Sequence, residues 1–152
     1  MNTDITLPTP PQPLGAYVEA VQVGKLLFLS GTLPMANGVP KFVGRIGAEL
    51  SIEDGRNAAH LAALNALALA KQHLGSLDKV ARPVRLTVSL ATTPEFRDHP
   101  KVADAASEVL ASVFGPDKLS TRMVRGVVSL PAGAAVAVEI IFALTRSDDE
   151  AP

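Results

Sequence analysis

The chain of 152 residues contains no cysteine and no tryptophan, and aromatic residues make up only 4% of it. Without cysteine the protein can form no disulfide and can use neither a thiol nucleophile nor a thiolate metal ligand. The scarcity of aromatic rings leaves few surfaces on which nucleic acid bases could stack. These absences disfavour disulfide-stapled proteins, thiol enzymes and single-strand binders before any motif is considered.

The chain also lacks an excess of either charge and lacks a long hydrophobic run. It has 14 Lys and Arg against 15 Asp and Glu, for a net charge of −1, so no general positive field attracts nucleic acid. No apolar run approaches the roughly 20 residues of a membrane helix, and the N-terminus lacks the charged and apolar segments of a secretory signal. We therefore expect a cytoplasmic protein without membrane contact, for which nucleic acid is an unfavoured partner.

What the chain does have is enough apolar residues for one core. Hydrophobic residues make up 47% of the sequence and charged residues 19%, and this length predicts a single domain. We expect that domain to span residues 1–152, with a Pro-rich segment at 1–14 and a flexible acidic tail at 147–152.

Apolar periodicity predicts seven elements in the order β-β-α-β-α-β-β. The first half should contain strands at 16–23 and 26–29, a loop at 34–50 with a short strand near Phe42 and Val43, and a helix that begins after the Ser51 cap and ends before Gly75. The second half should contain a strand at 84–90, a helix at 100–114, and a hairpin of two strands at 122–129 and 135–144.

This order predicts an α+β fold with one sheet and two helices packed on one of its faces. The opposite face should be polar if it meets water, yet Ala137, Ile141 and Ala143 would lie on it, and the strand at 26–29 has no polar side. An uncovered apolar sheet face predicts a homo-oligomer. The alternative is that the loop at 34–50 covers this face.

A single arginine stands out in the run S-T-R-M-V-R-G-V-V-S-L-P. Strand alternation would put Arg122 on one face with Val124, Gly126, Val128 and Leu130, and Arg125 on the other. A guanidinium at the end of an apolar stripe needs a partner, and its planar fork suits a carboxylate or phosphate. Arg122 therefore predicts a small-anion site, unless backbone carbonyls or a surface acid satisfy it structurally.

Several motifs, taken in order, resemble the RidA family, also called the YjgF/YER057c/UK114 family. They are Tyr17 in G-A-Y-V, Ser30 and Gly31 in L-S-G-T-L-P, Arg122 with the V-x-S-L-P turn, and the strand V-A-V-E-I. The resemblance covers about residues 14–144 and is to a divergent branch. It implies a chorismate-mutase-like fold, a homotrimer with sites between subunits, and cofactor-free hydrolysis of reactive 2-imino or enamine acids to 2-oxo acids and ammonia. Some members of this family have been described as endoribonucleases or translation inhibitors.

The same resemblance implies roles for particular residues. Arg122 would hold the substrate carboxylate in a bidentate grip, and Tyr17 would reach the cleft from the neighbouring subunit. Ser30 and Gly31 would form the turn against which the substrate lies, while backbone groups near Val124 would complete the polar contacts. Without the resemblance, Tyr17 could equally be a core residue, and Ser30 with Gly31 a plain strand-ending turn.

Two positions depart from the family pattern. Asp104 stands where active members usually have asparagine, which would bring a negative charge near a carboxylate site. The family glutamate that positions water falls on Ala137 in an ungapped alignment, or on Glu139 if the preceding turn is two residues longer. Glu139 is then either the general base or an ion-pair partner across subunits. The protein could thus be a catalytically weak or inactive member that binds small carboxylates or acts through protein contacts.

The three histidines give no metal-binding pattern. His60 and His73 lie thirteen positions apart on one predicted helix, which does not place them on adjacent turns, and His99 precedes a proline at a helix start. We therefore expect no metal site, and the resemblance to the RidA family implies that no cofactor is needed.

Overall fold

The computed structural model describes residues 5–145 and contains a five-stranded mixed sheet with two helices on one face. The sheet order is β1-β2-β7-β5-β6, in which only β5 and β6 run parallel. The elements are β1 Ala20–Val23, β2 Leu26–Leu29, β3 Met35–Ala36, β4 Val39–Pro40, α1 Ile52–Leu74, β5 Val80–Ala91, α2 His99–Phe114, β6 Thr121–Val127 and β7 Val136–Leu144. This architecture confirms the predicted α+β class, while the predicted tail at 147–152 lies outside the described residues.

The first helix begins and ends where its capping residues predict. The backbone amide of Asp54 donates to Ser51 Oγ at 3.0 Å, and the Ser51 amide donates to Asp54 Oδ2 at 2.9 Å. At the other end Gly75 adopts a φ of 88°, and its amide donates to the Lys71 carbonyl. These contacts satisfy backbone groups that a helix end otherwise leaves without partners.

The core lies between the sheet and the two helices. On β7 the alternate residues Val136, Val138, Ile140 and Phe142 are fully buried, as the alternation predicts. The facing side of α1 is built largely from alanines, which lets the helix lie close to its neighbours.

Neither α1 nor α2 nor any other helix within residues 5–145 has the length and hydrophobicity of a membrane-spanning helix.

The predicted hairpin of the last two strands is wrong. Strand β5 lies between them, paired in parallel with β6 along one edge and antiparallel with β7 along the other. The segment that follows β6 instead crosses the end of β5, where the Ala91 amide donates to the Ala135 carbonyl at 2.9 Å. An apolar repeat predicts burial but not the partner strand, whereas the order β5-α2-β6 is the arrangement that joins parallel strands.

Several boundaries also differ from the sequence prediction, and β5 begins at Val80 rather than at residue 84. The first strand begins at Ala20 rather than at residue 16, and β6 ends at Val127, so the predicted stripe does not continue as a strand to residue 130. In the loop at 34–50 the hairpin of β3 and β4 forms around Asn37 and Gly38, which both have positive φ. The predicted strand near Val43 is reduced to one isolated bridge with Ala134.

The sheet face opposite the helices is open and carries exposed apolar side chains. Val21, Val23, Leu26, Phe28 and Met123 are all exposed there, so the loop at 34–50 does not cover this part of the face. An apolar surface of this kind is typical of an interface, and the predicted homo-oligomer remains an expectation.

Candidate functional site

A cavity of about 300 Å³ lies where the N-terminal segment meets the turn after β2. It brings together three of the predicted site residues, Tyr17, Ser30 and Gly31, and also Ala137 of β7. Its remaining lining is mostly apolar: Pro11, Gln12, Pro13, Leu14, Glu19, Thr32, Leu33, Met35, Leu69 and Pro131. A concave apolar site with a few convergent polar groups is the usual setting for a small ligand.

Hydrogen bonds fix the polar rim of this cavity. The Ser30 amide donates to the Glu19 carbonyl at 2.8 Å, and Ser30 Oγ donates to the Val18 carbonyl at 2.7 Å. The Leu14 amide donates to the Tyr17 hydroxyl at 3.1 Å. This bond closes a turn within the segment before β1, so the Tyr17 hydroxyl has a structural partner there.

The floor of the cavity is tied to α1 by two buried polar side chains. Thr32 Oγ1 donates to the Ala62 carbonyl at 2.8 Å. Asn65 Nδ2 donates to the carbonyls of Leu33 and Met35, at 2.9 and 3.0 Å. Because Leu33 and Met35 both line the cavity, Asn65 sets the position of this wall.

Replacing Asn65 by alanine should destabilise the fold by about 1–3 kcal/mol, because two carbonyls lose their donor in a buried setting. Urea unfolding at a fixed protein concentration would measure this change. The control is Asn57→Ala on the exposed side of the same helix, which should change stability by no more than about 0.5 kcal/mol. Equal unfolding midpoints for the two variants would contradict the assigned role of Asn65.

Arg122 lies elsewhere in the same chain, on the helix face of β6. It pairs in register with the buried Leu86, and its Nη1 donates to Asp104 Oδ1 at 2.7 Å and to Ser107 Oγ at 3.1 Å, both on α2. Val124 follows on the same face and packs against the core. Arg122, Val124 and Asp104 therefore form one group, and none of the three lines the cavity that contains Tyr17.

The pairing with Asp104 uses only part of the Arg122 fork. Both side-chain contacts involve Nη1, and Nε and Nη2 bond to no residue between 5 and 145. The side chains of Arg122 and Asp104 are 26% and 53% exposed, so the pair is reachable from solvent. Asp104 thus orients the guanidinium in this chain and leaves two of its nitrogens able to donate to a ligand.

The two candidate positions for the family glutamate differ in their placement. Ala137 lines the cavity but has no carboxylate. Glu139 has a carboxylate, but it is exposed on the open sheet face, opposite Thr87, and does not line the cavity. Arg125 faces away from the helices, as alternation predicts, and its Nε donates to Ser89 Oγ at 3.0 Å.

Glu19 is a cavity residue that the sequence reasoning missed. It is half-buried and follows Tyr17 by two positions in the segment leading into β1. No motif marks it, and its nearness to Tyr17 was the only signal that could have pointed to it.

The part of the chain that the structure describes brings no three His, Asp or Glu residues together in a metal-binding cluster. His60 and His73 are exposed on α1. His99 begins α2, where its ring lies edge-on to Phe96 with centroids 5.1 Å apart.

Comparison with known proteins places these features in a family. The family model described as "YjgF/chorismate_mutase-like, putative endoribonuclease" matches residues 1–144. Protein TCP17 of Trypanosoma cruzi is 37% identical, over 93% of this chain and 89% of its own length. A 2-iminobutanoate/2-iminopropanoate deaminase of Dermatophagoides farinae is 30% identical, over 92% of this chain and 94% of its own length.

The fold is likewise similar to solved structures. A protein of unknown function from Agrobacterium tumefaciens, Atu1372, superposes with a TM-score of 0.86 at 34% identity. The match covers 93% of this chain and 87% of that one.

Proposed function

Since the chain belongs to the YjgF/chorismate mutase-like family, we propose that it hydrolyses reactive 2-imino acids to 2-oxo acids and ammonia without a cofactor. The site would form between two copies of the chain, with Arg122 from one copy and the cavity around Tyr17, Ser30 and Gly31 from the other. One observation carries this proposal. Arg122 has two guanidinium nitrogens without a partner among residues 5–145, and it lies apart from the cavity, whose lining among those residues includes an acid but no lysine or arginine. A relative named as a 2-imino acid deaminase supports the reaction class.

The chemistry of the substrate explains why two halves are needed. An imine carbon is already electrophilic, so the protein has only to orient it and to place a water molecule beside it. The substrate carboxylate requires a cation, and the lining of the cavity includes no lysine or arginine from the part of the chain that the structure describes. The Nε and Nη2 donors of Arg122 could supply a charge-assisted, two-point contact if a neighbouring copy brought them to the cavity.

The open sheet face offers a surface on which copies could meet. Its exposed apolar residues, such as Val21 and Phe28, favour association with a second apolar surface over contact with water. We propose a homotrimer closed by a rotation axis, because closed symmetric assemblies are the usual outcome for soluble oligomers.

A second candidate function is favoured by Ala137. Ala137 lines the cavity at the position where an ungapped alignment with the family places a water-positioning glutamate. A protein with this cavity could bind small carboxylates and hydrolyse imines weakly or not at all. RNA cleavage is not favoured, since the net charge is −1 and aromatic residues make up 4% of the chain.

One assay distinguishes these candidates. An amino-acid oxidase would generate 2-iminobutanoate in the presence of the purified protein, and release of 2-oxobutanoate would be compared with spontaneous hydrolysis in buffer. We expect faster release with the protein present. No acceleration, together with calorimetric binding of 2-oxobutanoate, would support the carboxylate-binding role. Absence of both acceleration and binding would refute both candidates.

A further inference from the structure

We propose that Glu19 is the general base that activates the attacking water in the cavity. This inference rests on the proposed imine hydrolysis and names a catalytic residue that the sequence motifs do not mark. A carboxylate at this position would perform the role for which Ala137 has no functional group.

The composition of the cavity leads to Glu19 by elimination. Water that attacks an imine carbon must lose a proton, and a carboxylate or imidazole accepts protons at neutral pH more readily than a hydroxyl does. Among residues 5–145, the titratable residues that line the cavity are Glu19 and Tyr17. Ser30 Oγ already donates its proton to the Val18 carbonyl, and Thr32 Oγ1 donates to Ala62.

The placement of Glu19 suits this role. Its own carbonyl accepts the Ser30 amide at 2.8 Å, so the residue is fixed to the turn that forms the cavity rim. The Glu19 carboxylate makes no hydrogen bond or ion pair with any other residue in the range 5–145. The half-buried carboxylate is therefore not engaged by a cation among these residues.

Glu19 also borders an adjoining cavity, which it shares with Gln72 and His73 of α1. The titratable side chains that line these two cavities with Glu19 are therefore Tyr17 from the N-terminal segment and His73 from the helix. This second opening gives the carboxylate a route for proton exchange with solvent when the first cavity is occupied by substrate.

The reaction balances with Glu19 as the only proton carrier. Water oxygen forms a bond to the iminium carbon, the π electron pair of the C=N bond moves to nitrogen, and one water proton moves to the Glu19 carboxylate, which gives a carbinolamine with an uncharged amino group. Glu19 then returns the proton to the amino nitrogen, the C–N bond breaks with its electron pair on nitrogen, and the hydroxyl oxygen forms the carbonyl. The released ammonia takes up the hydroxyl proton, so one iminium and one water yield one 2-oxo acid and one ammonium ion.

The test compares Glu19→Gln with wild type in the oxidase-coupled assay with 2-iminobutanoate. We expect kcat to fall by about 100-fold or more, because general base catalysis contributes a factor of about 10²–10⁴, while KM changes little. Formate should restore part of the rate of Glu19→Ala, because it can take the place of the missing carboxylate. The matched control is Glu95→Gln, an exposed acid that lines none of the described cavities, and it should retain the wild-type rate.

The outcomes separate this inference from the function on which it rests. An active wild type with an equally active Glu19→Gln variant would overturn the role of Glu19 and leave imine hydrolysis intact. A large loss in Glu139→Gln but not in Glu19→Gln would assign the base to the open sheet face instead. An inactive wild type would refute the hydrolysis and the base together. Unchanged unfolding midpoints would show that a loss in Glu19→Gln is not a loss of fold.

Discussion

Replacing Arg122 by alanine should lower kcat/KM for imine hydrolysis by about 100-fold or more. A hydrogen bond to a charged group contributes about 1.5–3 kcal/mol, and two such bonds to the substrate carboxylate would account for a loss of this size. Arg122→Lys should recover only part of the rate, because an ammonium keeps the charge but lacks the planar fork. The oxidase-coupled assay measures both variants.

The control for Arg122 is Arg45→Ala. Arg45 is an exposed arginine whose ion-pair partner is Glu49, four residues away, and its loss should leave kcat/KM unchanged. Asp104 loses its partner in Arg122→Ala, but it is more than half exposed, so the cost in stability should be small. If the Arg122→Ala variant had the same kcat/KM as wild type, the role of Arg122 would be limited to anchoring α2 to β6.

Mixing two inactive variants tests whether the site is shared between copies. Gly31→Phe should fill the cavity with its ring, and the backbone tolerates a side chain there because a Cβ at Gly31 would meet no atom closer than the Val138 carbonyl oxygen, at 4.0 Å. Co-expressed Arg122→Ala and Gly31→Phe chains should regain activity, since some interfaces would combine an intact arginine with an intact cavity. No recovery in verified mixed oligomers would place both halves of the site within one chain.

Replacing Phe142 by alanine should destabilise the protein by about 3–5 kcal/mol, the typical cost of removing a buried phenylalanine ring. Phe142 is fully buried in β7, and its ring centroid lies 5.8 Å from that of Phe114 at the end of α2. The substitution would leave a cavity between sheet and helix that neighbouring side chains fill only in part.

Urea unfolding of Phe142→Ala and of Leu119→Ala, at equal protein concentrations, would check this prediction. Leu119 is half exposed in the turn before β6, and its loss should cost well under 1 kcal/mol. Comparable losses for the two variants would mean that the interface between sheet and α2 contributes less than its burial implies.

The local elements were readable from the sequence because each depends on neighbouring residues. The capping box at Ser51 and the glycine at position 75 predicted both ends of α1, and strict alternation predicted that Val138 and Ile140 would be buried. The same alternation placed Arg122 and Arg125 on opposite faces of β6, as their different partners confirm.

Site residues were predictable only where a motif marks them. Tyr17, Ser30 and Gly31 belong to recognisable motifs and do line one cavity. Glu19 belongs to none, and its presence in the cavity depends on how the N-terminal segment folds back on the turn after β2. The roles of these residues stay predictions until activity is measured.

Capping residues, alternation and motifs were enough to predict the seven main elements, the buried face of β7 and the family to which the chain belongs. They did not predict that β2 has an exposed face, that β5 separates β6 from β7, that Asp104 holds Arg122, or that the arginine and the cavity are separate within one chain. The difference lies in how far apart along the chain the interacting residues are. Periodicity and capping record the environment of a residue and its near neighbours, whereas strand order and side-chain partners depend on packing between segments far apart in the chain.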